Sequence, residues 1–162
     1  MKFFSKKNFL LSLIILLLLI LGYYRDFLFK QINAMLKAWD FEMDYAMPFP
    51  WRFLENYYYD TIVNFKWLLT IVFTILFLLV SMLAIHLIFR NKKFLRITVL
   101  SYVAVTVISA LFAGIGILSE SSSVKMYELA RYLMGMAQSP VILMILIPAF
   151  KLSSREQPNI EN

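Results

Sequence analysis

Cysteine is absent from this 162-residue chain and histidine occurs once, at His86. Those two shortages exclude disulfides, thiol nucleophiles, iron–sulfur clusters, His- or Cys-based metal sites of the usual kind and a bis-histidine haem within one chain. A Ser-His-Asp hydrolase would have to centre on His86, four residues before Arg90, while eight of the ten acids are expected on the other side of a membrane. Only four glycines occur, none in a G-x-x-x-x-G-K phosphate loop. No catalytic residue, metal ligand or cofactor is therefore expected. The chain is also poor in charge, at 16%, against 61% hydrophobic residues; a soluble domain carries about 25% charged and about 45–50% apolar residues.

What is there is apolar runs. Residues 8–24, 67–89, 97–119 and 132–150 are uncharged stretches of 17, 23, 23 and 19 residues, each close to the 17–25 a helix needs to cross a hydrocarbon core roughly 30 Å thick. The fold class expected is all-α: a polytopic membrane protein with four transmembrane helices plus an extracytoplasmic amphipathic helix. The spans are expected at about 8–24, 64–90, 96–119 and 128–150, with an outer segment over 25–63 and a disordered tail over 152–162. Residues 1–151 then form one membrane domain. That outer segment is too short for an independent soluble catalytic domain.

Charge sets the orientation. With the amino terminus cytoplasmic, nine basic residues (Lys2, Lys6, Lys7, Arg90, Lys92, Lys93, Arg96, Lys151 and Arg155) fall inside, in 26 residues of chain (7 + 7 + 12). Seven fall outside, with eight of the ten acids. That distribution obeys the positive-inside rule, so the net charge of +6 is a topology signal and nucleic acid is not an expected partner. The expected location is a bacterial inner membrane, both termini cytoplasmic. The first span has no small-residue cleavage site behind it and reads as an uncleaved anchor.

The outer segment is aromatic. Residues 23–67 hold 15 of the chain's 27 aromatic residues, including Trp39, Trp51 and Trp67. Leu28, Ile32, Met35, Leu36 and Trp39 recur at helical spacing, with Lys30, Asn33 and Lys37 on the other face, which predicts an amphipathic helix lying flat on the outer leaflet. Pro48 and Pro50 predict an extended turn, and a second helix is expected from about Arg52 through Tyr57-Tyr58-Tyr59 into span 2. The rings read either as a collar anchoring the bundle in lipid headgroups or as a docking surface for a partner membrane protein.

Span 3 carries small residues at Thr106, Ala110 and Gly114, with Ser109 and Ala113 beside them, and span 4 has Gly135 and Ser139 at the same spacing. Small residues let helices approach closely in lipid, so these two spans are expected to pack on those faces. Gln138, Ser139 and Pro140 fall near the middle of span 4. Pro140 frees a carbonyl one turn back, near Met136, which Gln138 or Ser139 can satisfy; either can instead bind a neighbouring helix or a ligand. Arg131 either snorkels to the outer headgroups or pairs within the bundle, Glu128 being one turn away.

Tyr23-Tyr24-Arg25-Asp26-Phe27-Leu28-Phe29 with Ile32-Asn33, then Arg131-Tyr132-Leu133-Met134-Gly135, Gln138-Ser139-Pro140 and Ile147-Pro148-Ala149-Phe150 resemble the small membrane proteins that accompany the X-type exosortase in Bacteroidota. The resemblance touches both ends of the bundle and the four-span layout. It implies a non-enzymatic accessory subunit of a protein-sorting and surface-export system, beside an exosortase partner that supplies the cysteine chemistry. The partner or ligand contacts expected are Arg25, Asp26, Asn33 and Trp39 on the outer helix and Arg131, Gln138, Ser139 and Pro140 on span 4. The rival reading is a small lipid-binding or transport-associated component, its outer segment a clamp on the membrane surface.

Overall fold

The computed structural model describes residues 6–118 and 123–155, and all regular structure among them is helical. Helix α1 runs over Lys6–Asp40, α2 over Tyr59–Phe89, α3 over Lys92–Leu118, α4 over Ser123–Ala137 and α5 over Val141–Arg155, with a short 3-10 turn at Trp51–Asn56. Helices α1, α2 and α3 are each long and apolar enough to cross a membrane. The pair α4 and α5 meets the same test together, bent by 61° at the break between them. The chain is thus a helical, multi-pass membrane protein with three helices able to span a membrane, or four where the bent α4–α5 pair counts as one span. Helix α5 carries residues 152–155, where a disordered tail was expected; the rest of that tail, 156–162, lies outside the described residues.

Two expectations for the outer segment are corrected. Helix α1 does not stop at Tyr24 and restart as a flat amphipathic helix. It is one helix of 35 residues, about 52 Å at 1.5 Å per residue. A sharp turn needs proline, a glycine pair or an inserted group, and between Leu21 and Asp40 the chain offers only Gly22. Nor does a second helix run from Arg52 into span 2. The 3-10 turn ends at Asn56, Tyr57 and Tyr58 are extended, and α2 begins at Tyr59.

The burial pattern along α1 inverts at Arg25. Before it, Leu13, Ile15, Leu16, Leu19 and Ile20 are exposed apolar side chains, the arrangement of a lipid-facing helix. After it, Leu28, Ile32, Met35 and Leu36 are buried, while Asp26, Lys30, Lys37 and Asp40 are exposed, the arrangement of a helix in water. The connector 41–58 folds back along this second half and covers its apolar face. Tyr45 donates to Gln31, the Met47 amide donates to Glu55, and the Trp51 ring lies 6.1 Å from Tyr24. The chain then climbs again, so that Tyr59 meets Trp39 at 5.9 Å. Met47, Leu54 and Ile62 are buried with the α1 residues in one cluster. The result is a compact cap on the bundle.

At the opposite end Arg90, in the left-handed conformation, closes α2 with its amide on the His86 carbonyl, and α3 starts two residues later. Three rings lock this end. Phe94 of α3 stacks on Phe150 of α5 at 4.5 Å, and Phe89 of α2 meets both edge-on at 5.2 and 5.8 Å. Between cap and lock, Ser81 of α2 shares a 2.9 Å hydrogen bond with the buried Tyr102 hydroxyl of α3.

The inversion separates two kinds of leucine and isoleucine. Ile32→Ala, in the cap core, is expected to lower stability by about 2–4 kcal/mol, and Leu19→Ala, on the exposed face, by less than about 1 kcal/mol. Unfolding of the detergent-solubilised protein followed by circular dichroism checks both.

Candidate functional site

A cavity of about 800 Å³ opens beneath the cap between α1, α2, α3 and the α4–α5 break. It is built around one buried side chain. Helix α4 ends at Ala137 because Pro140 has no amide to continue it, and Gln138 sits in the break, 1% exposed. Its Oε1 accepts from Arg25 Nε at 3.0 Å and Arg25 Nη2 at 2.9 Å. Its Nε2 donates to the Thr70 carbonyl at 2.8 Å and to Thr74 Oγ1 at 3.2 Å. Both ends of the amide are fully used, and its orientation is fixed because a guanidinium only donates. Three elements (α1, α2 and the α4–α5 break) meet on this one residue.

The break itself is satisfied locally. Ser139 Oγ donates to the Met136 carbonyl at 2.9 Å, the carbonyl that a proline at 140 is expected to free. Arg25 completes its coordination with Asp26 Oδ1 at 2.6 Å and lies 4.9 Å over the Phe29 ring. Gly135 lies beside this contact, where a Cβ would stand 3.8 Å from Arg25 Nη2, an ordinary van der Waals distance. The Thr74 hydroxyl donates to the Thr70 carbonyl at 2.7 Å and Thr70 Oγ1 to the Lys66 carbonyl at 2.9 Å.

Of the eight contact residues expected from sequence, Arg25, Asp26, Asn33, Arg131, Gln138, Ser139 and Pro140 all line this cavity. Trp39 does not; it packs in the cap against Tyr59. The expected helix-packing stripe is corrected at three of its residues. Ala110 is exposed into the cavity, Gly114 has open space where its Cβ would be, and Gly135 faces Arg25 of α1. Thr106 is half-buried. Helices α3 and α4 do pack closely as expected, and of the small residues expected on that face Ser109 is buried, with Phe94, Thr98 and Tyr102 also buried on α3. There Ser109 Oγ donates to the Ala130 carbonyl at 2.7 Å. A serine hydroxyl needs an acceptor where no water reaches, and that need sets which side of the helix turns in.

Arg131 forms no ion pair with Glu128; Arg25–Asp26 is the one salt bridge among the described residues. Arg131 is instead exposed on the wall of the cavity that Lys66 of α2 also lines. Lys66 and Lys30, also on the wall, were not singled out from sequence. The usable signal was the spacing Lys66, Thr70, Thr74, which puts one cation and two hydroxyls on a single face of α2. In the cap, outside the spans, burial first and then the Glu55 carboxylate push the Tyr45 phenol above its ordinary value, which keeps it neutral as the donor to Gln31.

No protein-family model, curated protein or solved structure matches the chain.

The Arg25–Gln138 contact should behave as a coupled pair. Gln138→Leu is expected to cost about 2–3 kcal/mol, because it leaves Arg25 Nε and Nη2 without their acceptor. Arg25→Leu in the same background should then cost less than it does alone, with a coupling of about 1–2 kcal/mol. A double-mutant cycle in detergent measures this; additive losses would contradict the geometry.

Proposed function

We propose that the protein is a non-enzymatic accessory subunit of an exosortase-type protein-sorting and surface-export system in a bacterial inner membrane, docking a partner membrane protein through its cap. The supporting observation is the way the cap divides its aromatic residues. Trp39, Tyr45 and Trp51 are half-buried and hold the connector on α1. Phe41, Met43, Phe49, Phe53 and Tyr58 point outward, Phe49 and Tyr58 being 91% and 87% exposed. A cap that has already buried its own core gains nothing from these side chains, and an exposed cluster of large rings is the composition of an interface centre.

Chemistry favours a binding role. His86 is exposed near the Arg90 turn, at the far end of α2 from Asp40, Glu42, Asp44, Glu55 and Asp60. With no cysteine in the chain, a transpeptidase nucleophile belongs to the partner. Exposed Arg90, Lys92, Lys93 and Arg96 at that end fit a cytoplasmic placement, with the cap extracytoplasmic. The resemblance at Tyr23–Phe29 and Arg131–Pro140 supplies the exosortase context. A lipid-binding or transport-associated component is the second reading, favoured by the cation-lined cavity.

Co-purification in mild detergent, with mass spectrometry of the recovered proteins, tests the docking reading. Stoichiometric recovery of an exosortase with the native chain, and its loss with Phe49→Ser/Phe53→Ser/Tyr58→Ser, is the expected result. Recovery that is unchanged by the triple substitution, or a chain that purifies alone, would overturn it.

A further inference from the structure

The cavity has a charge pattern that its own residues do not neutralise. Its wall carries Arg25, Lys30, Lys66 and Arg131 against Asp26 and Glu128, four cations to two anions. Arg25 is fully engaged by Asp26 and Gln138. Lys66 and Arg131 are not: among the described residues neither head group has a hydrogen bond or an acid partner, and the two like charges act on each other. Lys66 is half-buried, so its charge is only partly screened by solvent. Two cations without acid partners on the wall of one recess give it a positive potential that a bound anion would lower.

We propose that this recess binds the phosphate group of an anionic membrane lipid, with Lys66 and Arg131 as its two ligands. Depth supports a lipid as the source. From Phe89, in the ring lock, to Lys66 is about 34 Å of helix, against a hydrocarbon core roughly 30 Å thick. A core that begins at the lock therefore ends just below Lys66, where lipid phosphates lie. Size agrees, because a cavity of about 800 Å³ has room for a headgroup and the first methylenes of its chains, far beyond a bare ion. So does the rim: Trp67, Tyr132 and Val141 are exposed beside the recess and offer apolar surface to acyl chains. Arginine and lysine then divide the work, the guanidinium fixing two phosphate oxygens and the ammonium acting as a point charge. The assignment is independent of partner docking, which uses the outward rings of the cap.

The test is native mass spectrometry of the full chain released from nanodiscs of phosphatidylcholine containing phosphatidylglycerol, with inorganic phosphate titrated into the lipid-free detergent form as a second arm. One phosphatidylglycerol per chain is expected, retained about tenfold better than phosphatidylcholine, with that preference lost in Lys66→Gln/Arg131→Gln. Lys92→Gln/Lys93→Gln, at the other end, should leave the preference unchanged. The exchange variant Lys66→Arg/Arg131→Lys should keep it, which separates loss of charge from loss of fold. Inorganic phosphate binding as tightly as the lipid would overturn the lipid source. Equal retention of both lipids, or a preference that survives Lys66→Gln/Arg131→Gln, would overturn the site.

Discussion

An arginine at the end of an apolar helical run must find acceptors or reach water, and here Arg25 finds Gln138. Its Nε and Nη2 converge on a single amide oxygen, and the other half of that amide is committed to α2. Much of the bundle is arranged to permit this. The chain is broken at Pro140, which places Gln138 in the α4–α5 break with its whole side chain turned inward. Gly135, one turn earlier, lies against the guanidinium. Ser139 takes up the carbonyl that the break releases. Helices α4 and α5 meet there at a bend of 61°, and the cavity that Lys66 and Arg131 line opens at the same break.

Arg25 is also where the solvent changes. Below it α1 shows apolar side chains outward, and above it the same helix hides them under the connector. Hydrocarbon rewards the first arrangement and water the second. A rigid helix with no breaker passes through both and so carries the bundle directly into the cap. The cap's rings follow the same division: some seal the connector to α1, and the others, beyond what that core needs, remain exposed on its surface. The ring lock of Phe89, Phe94 and Phe150 holds the far ends of α2, α3 and α5 in register. The bundle is therefore pinned at both ends, with its buried polar knot between.

Much of this architecture was legible in the residues. Uncharged run lengths located the spans, since covering a hydrocarbon core leaves little freedom in length. Ser139 and Pro140 announced a freed carbonyl and its remedy, because that chemistry is local. Seven of eight expected contact residues line one cavity for a related reason: polar groups within or beside an apolar run must converge on something. Long-range choices were not legible. Gly135 has the spacing of a helix-packing residue, and only the structure shows that its neighbour is an arginine 110 positions earlier. Spacing of small residues put Ser109 on the face toward α4, where it bonds the Ala130 carbonyl, but could not tell that Ala110 beside it would line the cavity. The amphipathic pattern after Arg25 was read correctly as a helix but assigned the wrong cover. Periodicity reports that a face is buried, not whether lipid or the chain's own connector buries it.

The central claim is that α1 leaves the membrane at Arg25 as one continuous helix. Absence of cysteine makes this directly measurable, because single cysteines carry spin labels without background. Labels at Leu13, Ile15, Leu19, Lys30 and Lys37 of the bilayer-reconstituted protein can be compared for collisions with oxygen, which partitions into lipid, and with a water-soluble nickel chelate. High oxygen and low nickel accessibility at the first three, with the reverse at Lys30 and Lys37, is the predicted result. Oxygen-dominated accessibility at Lys30 and Lys37 would place that half of the helix in lipid and contradict the account.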